Sequence, residues 1–201
     1  MSIARSSVAD LLALTLVVAT FVWNTPTLGA ESRTVVLVAT PQLHDPFYGE
    51  TILIAKPLEG GQHLGFILNR PTKLSLADLF PEHEPSRSVH DPIYLGGPSD
   101  LNVVFALVAD HASPGDGSMQ ISPDLYLAVA APTVDHVIET ASDHARFFAG
   151  MVVWRPGELD EELKRGAWYV LDLDPELVLR KKTAGLWREL VQRAEIREKG
   201  I

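Results

Sequence analysis

Short apolar runs separated by Pro, Gly and Asp set the pattern of the first half of the chain. Residues 34–39 (TVVLVA) and 51–55 (TILIA) are rich in β-branched side chains and carry no charge, which predicts two buried strands. A third strand is expected over 63–69, after the turn cluster Glu59-Gly60-Gly61-Gln62. This strand ends abruptly: Phe66, Ile67 and Leu68 give way to Asn69, Arg70 and Pro71. Pro71 has no backbone donor for a central ladder, so the chain is expected to turn there and to leave Asn69 and Arg70 at a strand end facing a crevice. Residues 72–92 read as a proline-rich surface excursion with one short helix near Ser75 to Phe80. Residues 103–109 and 125–129 are further strands, with a turn at 114–118 between them.

The second half changes period. Val134, Val137, Ile138 and Ala141 recur at helical spacing behind Thr133, which is placed to cap the start. A strand is expected over 150–154 and a helix over 156–165. That helix has Glu158, Asp160, Glu161 and Glu162 early, Lys164 and Arg165 late and Gly166 after its end, an order that complements the helix dipole. Trp154 and Trp168 bracket it, and both are expected to pack between helix and sheet. A strand over 168–173, a helical turn opened by Asp174-Pro175 and a last helix with Leu186, Trp187, Leu190, Val191 and Ala194 on one face complete the pattern. No internal repeat and no second domain boundary interrupt it, so residues 31–201 read as one domain.

The first thirty residues stand apart. Arg5 and the amino group precede an uncharged stretch from Leu11 to Trp23, and small residues follow Pro26, the outline of a secretory signal peptide over 1–30. A helix of that stretch would reach only about 20 Å, short of the ~30 Å hydrocarbon core. Export, with a periplasmic location and no membrane span after cleavage, is therefore expected; the alternative is a cytoplasmic protein with a buried or disordered N-terminal segment.

Over its 201 residues the chain is 46% hydrophobic and 21% charged, the balance of a globular domain. The net charge of -9 argues against direct nucleic-acid binding, which rewards clustered Lys and Arg. Without cysteine there is no disulfide, thiolate metal site or Cys nucleophile. The phosphate-cradling loop, dinucleotide, nucleophile-elbow and zinc-protease signatures are all absent from the sequence, and no cofactor is implied. His83, His90 and Asp91 with Glu82 and Glu84 follow no metal-binding spacing and read as an acidic surface loop. The candidate ligand-binding residues are His44 and Asp45 in the loop after the first strand, Asn69 and Arg70 at the strand end, and Gly96 and Gly97, whose backbone can offer donors to an anion.

Several segments in order carry a resemblance: residues 40–47 (TPQLHDPF), 64–71 (LGFILNRP), 95–98 (LGGP), 148–150 (FAG), Trp154, 157–163 (GELDEEL) and 166–168 (GAW). With these the chain resembles the AlgH/YqgE family, also catalogued as uncharacterised protein family 0301 (DUF179). It departs from the family pattern in having Thr40 before Pro41 where Met is common, Glu158-Leu159-Asp160 where Gln-Leu-Glu is common, and an export-like leader. The resemblance implies an α/β (mixed α+β) domain with a bent, partly barrel-like mixed sheet flanked by helices, and members discussed as bacterial transcriptional regulators. Three functions follow as expectations. The first is a non-enzymatic binding or regulatory domain holding a small anion or a peptide in a crevice formed by residues 40–48, Asn69-Arg70 and Gly96-Gly97. The second is a hydrolase or transferase using His44 with Asp45 or Arg70 there. The third is an exported module that binds a protein partner.

Overall fold

The structure is a computed structural model that describes residues 33–198 and 200; the expected leader lies outside them. The strands are β1 (Val35–Ala39), β2 (Ile52–Pro57), β3 (His63–Ile67), β4 (Pro71–Ser75), β5 (Pro92–Leu95), β6 (Ser99–Ala109), β7 (Ser118–Ser122), β8 (Leu125–Ala128), β9 (Ala145–Trp154) and β10 (Trp168–Asp172). The helices are α1 (Leu76–Leu79), α2 (Ala131–Thr140), α3 (Glu158–Lys164), α4 (Pro175–Leu179) and α5 (Leu186–Glu198). The main path of the sheet runs β10-β1-β2-β3-β9-β6-β8-β7, with β5 added beside β9 and β4 beside β5. Its pairings are antiparallel except β5 with β9, which is parallel. The sheet curls into a half-barrel flanked by helices, a mixed α+β fold. The Thr34 hydroxyl, in the segment leading into β1, donates to the carbonyl of Ile121 in the terminal strand β7 at 3.3 Å.

Why the first strand carries no polar residue is clear from its position. All of β1 is buried, and its two faces enter different cores. Val36 and Val38 point into the hollow of the half-barrel, with Ile54, Phe66, Leu107 and Leu127, and α5 supplies Leu186, Leu190 and Val191 to the same cluster. Val35, Leu37 and Ala39 pack on the other side with Trp154, Leu159 and Trp168, beneath α3. A third cluster joins Val134, Val137 and Ile138 of α2 to β6, β8 and β9. Strand side chains alternate between faces, so an uninterrupted apolar run is what a layer between two cores requires.

β9 is the hub. Its residues Val152 to Trp154 pair with β3, whereas Tyr94 and Leu95 of β5 pair with Phe148 and Ala149 on the preceding stretch. The handover falls at Gly96, whose amide donates to Ala149 O at 2.9 Å and whose carbonyl accepts from Ile67 N at 2.7 Å.

Several expectations from sequence change. Pro71 does not end the ordered structure: it opens β4, which lies beside β5 at the margin of the sheet, where a missing donor is tolerated. Residues 118–122, partly taken for a turn, form β7, and the strand expected from residue 150 begins at Ala145. Thr133 does not cap α2. The helix starts two residues earlier, with Pro132 in its first turn, and the Thr133 hydroxyl instead donates to the Asp116 carbonyl.

Candidate functional site

The loop after β1 is held from below by the strand end. Asn69 uses both ends of its amide: Oδ1 accepts from Ile52 N at 2.9 Å and Nδ2 donates to Glu50 O at 2.8 Å. Arg70 lies half-buried with its guanidinium 5.2 Å from the Phe47 ring centre and Nη2 3.4 Å from Gly49 O. Its own carbonyl accepts from Leu95 N at 2.8 Å. Within the loop Asp45 Oδ1 accepts from the amides of Phe47 at 2.8 Å and Tyr48 at 2.7 Å, an Asx turn that sets the corner. His44 is exposed beside it. Gly96 and Gly97 are buried against β9: an added Cβ at either would fall 2.2 Å from backbone atoms of Gly150 or Met151. The strand end thus touches both other segments, the loop through the Asn69 and Arg70 side chains and the glycine segment through the Arg70 carbonyl, while Gly96 and Gly97 themselves pack on β9.

The open space lies on the other side of the same loop. A cleft of about 440 Å³ is lined by Gln42, Leu43, Asp45 and Tyr48 from the loop and by Glu162, Arg165, Gly166, Ala167 and Trp168 from α3 and the start of β10. Asp45 lines it; His44, Asn69, Arg70, Gly96 and Gly97 do not. Trp154 and Trp168 are buried beneath, and an indole N–H is a donor that needs an acceptor when buried. Both find the same one: Glu162 Oε2 accepts from Trp154 Nε1 at 3.0 Å and from Trp168 Nε1 at 2.8 Å. The carboxylate is thereby held in one orientation on the cleft wall. Burial first, then the negative charges of Glu162 and Asp45, raise the pKa of the Tyr48 phenol above its ordinary value. The Tyr48 ring meets Trp168 edge-on at 6.3 Å.

A second buried group bears on the strand end. Arg146 of β9 is 2% exposed, donates from Nη1 to Val178 O at 2.6 Å and from Nη2 to Leu68 O, and stacks 3.9 Å from the Tyr94 ring centre and 5.2 Å from that of Phe148. Among the described residues no carboxylate pairs with it, and Nε has no hydrogen-bond partner. Burial lowers its pKa from the ordinary guanidinium range to about 10, so it remains a cation at neutral pH. It clamps the residue immediately before Asn69 to the end of α4.

The remaining candidates disperse. His83 contacts Ser86 Oγ at 2.8 Å, Asp91 pairs with Lys181 at 2.6 Å, and no group of three or more metal-ligating side chains forms among the described residues. No helix there is long and apolar enough to cross a membrane. Sequence reasoning passed over Glu162 and Arg146. Glu162 had a local signal, two tryptophans six and eight residues away whose indoles needed an acceptor. Arg146 had none, since its partners Leu68 and Val178 are distant in the chain.

A curled mixed sheet with β9 as its hub, a corner loop tied by Asn69 and Arg70, and a cleft closed by a short acidic helix define a small α+β class without a nucleotide or metal motif. The chain belongs to the AlgH-like family, DUF179, whose model matches residues 36–199. It is similar to a UPF0301 protein of Streptomyces avermitilis, 31% identical over 164 residues that cover 78% of this chain and 83% of that one. A UPF0301 protein of Cupriavidus metallidurans is 31% identical over 156 residues, covering 71% and 77%. The solution structure of the AlgH protein from Pseudomonas aeruginosa superposes with a TM-score of 0.67 at 22% identity, covering 79% of this chain and 86% of that one. A crystal structure of a Corynebacterium diphtheriae protein does so with a TM-score of 0.66 at 21% identity, covering 82% and 87%. These two likenesses concern the fold.

Proposed function

We propose that the protein is a non-enzymatic binding domain that holds a small ligand or a short peptide in the cleft between residues 42–48 and α3–β10. The observation that carries this reading is the fixation of the loop wall: Asn69 bonds to the backbone at Glu50 and Ile52, and Asp45 closes the corner just before them. A wall ordered in advance loses little freedom when a ligand arrives, which is how a modest cleft gains affinity. Asn69 and Arg70 then act from behind the wall, and Asp45 and Tyr48 face the ligand.

The test is a screen of small molecules and short peptides against the labelled protein, read by NMR. Ligands are expected to shift the signals of Tyr48 and Trp168. Asn69→Ala, outside the cleft lining, is expected to weaken them about tenfold, equivalent to about 1.4 kcal/mol. Hits that map to another surface, or undiminished affinity in Asn69→Ala, would sink the reading.

Export belongs to the same proposal and rests on the leader pattern of residues 1–30. N-terminal sequencing of the protein from fractionated cells is expected to find a start near Glu31 in the periplasm. A start at Met1 in the cytosol would refute it.

A further inference from the structure

We infer that the group anchored in the cleft is a cation, the ammonium or guanidinium of a basic peptide side chain, received by the Glu162 carboxylate; the inference rests on the binding reading above. Glu162 does not owe its place to an internal ion pair. Among the described residues no Lys, Arg or His lies within ion-pair distance of Glu162 or of Asp45, although both line one cleft. Oε2 is committed to two indole donors, which fixes the plane of the carboxylate and leaves Oε1 to be used from the cleft side. Two indoles need an acceptor, but they do not need a charge. A glutamine oxygen would serve them, so the negative charge is surplus to packing.

The surroundings suit the rest of a basic side chain. Leu43, Ala167 and Trp168 offer an apolar wall for an alkyl stem, and the half-buried Tyr48 ring can face the charge. The same two carboxylates that hold the Tyr48 proton on would attract a cation. The opposing charge is Arg165 at the rim, whose Nε donates to Glu161 O at 3.3 Å within its own helix. Arg165 and the exposed Gln42 amide can donate to backbone carbonyls of the incoming chain. At about 440 Å³ the cleft exceeds a single lysyl side chain and leaves room for its flanking backbone, which favours a peptide over a free amine.

The experiment uses the full chain labelled with ¹⁵N and follows the indole N–H signals of Trp154 and Trp168. The probes are the blocked tripeptides acetyl-Gly-Lys-Gly-amide and acetyl-Gly-Arg-Gly-amide, the same tripeptide with norleucine or glutamate in the centre, and butylamine. Saturable shifts of both indoles are expected with the lysine and arginine peptides and not with the norleucine or glutamate ones. Affinity should fall as salt is raised. Glu162→Gln should keep both indole signals and lose at least tenfold in affinity for the basic peptides. Should that variant fold poorly, the norleucine comparison and the salt dependence in the unaltered protein still decide. Equal binding of the norleucine or glutamate peptide, or undiminished affinity in folded Glu162→Gln, overturns the cation and leaves the cleft standing. Butylamine binding as tightly as the lysine peptide overturns the peptide. If nothing in the broad screen moves these signals, the binding reading falls too.

Discussion

Gly97→Ala is expected to lose more than about 3 kcal/mol of stability, beyond the usual ~1–3 kcal/mol for an overpacked core, and to yield little folded protein. The added Cβ would sit 2.2 Å from both the carbonyl carbon and the oxygen of Met151 and 2.5 Å from Val152 N. Those are backbone atoms of β9, not the end of a side chain that can swing away. Val152 is already opposite Gly65 of β3, and Met151 opposite Ser99 of β6. The hub therefore has no direction in which to retreat. Gly60→Ala is the control: nothing lies within 4 Å of its Cβ, and only its φ of 76° is unfavourable, for a loss of about 1 kcal/mol. Urea unfolding of the two variants measures the difference. Equal losses would mean that the segment at Gly97 does not pack as closely on β9 as described.

The second large effect is expected at Arg146. Its lowered pKa corresponds to roughly 3 kcal/mol against the charged form. The unfolded chain holds this proton well above pH 10, as an ordinary guanidinium does, while the folded one releases it near 10. The cost is therefore present in full below pH 10 and relaxes only above it, so comparisons at neutral pH report it whole. Against it stand two charge-assisted bonds to Leu68 O and Val178 O and two stacked rings. Removing the donors leaves two buried carbonyls without them, at ~1–3 kcal/mol each, and forfeits a cation–π contact of about 2 kcal/mol. The losses exceed the relief. Arg146→Met, which fills most of the space, is expected to be about 2 kcal/mol less stable than the original. Arg146→Ala, which adds a void, is expected to lose about 3–5 kcal/mol. Chemical denaturation at pH 7 checks both, and a methionine variant as stable as the original would show that the clamp on the strand end is dispensable.

What the sequence discloses and what it conceals divide along chain distance. β1 and β2 were legible because a charge-free run of β-branched residues has one comfortable home, a layer covered on both sides. The short helix near Ser75 was legible through its own cap, since Ser75 and Asp78 exchange hydrogen bonds within a single turn. α3 announced itself by its dipole-matched charges. The start of β9 was hidden by Arg146, a charge inside an otherwise apolar run from Ala145 to Trp154. Only the arrival of Leu68 and Val178 makes a strand interior suitable for a guanidinium. The glycine pair allowed two explanations. Neither Gly96 nor Gly97 has a positive φ, so close approach of backbone is the reason for both. As for the candidate site, Asp45, Asn69 and Arg70 bear on the loop after β1, Gly96 and Gly97 pack on β9, and the cleft on the loop's far side depends on α3, more than a hundred residues away.

The place of α5 has a consequence for how the molecule is made. Trp187 donates from its indole to Ala39 O at 2.8 Å, and Leu186, Leu190 and Val191 finish the cluster begun by Val36 and Val38. A nascent chain in which α5 has not yet been made has the opening strands but not the lid of their interior. Those apolar faces stay wet until α5 has emerged from the ribosome and folded back over them.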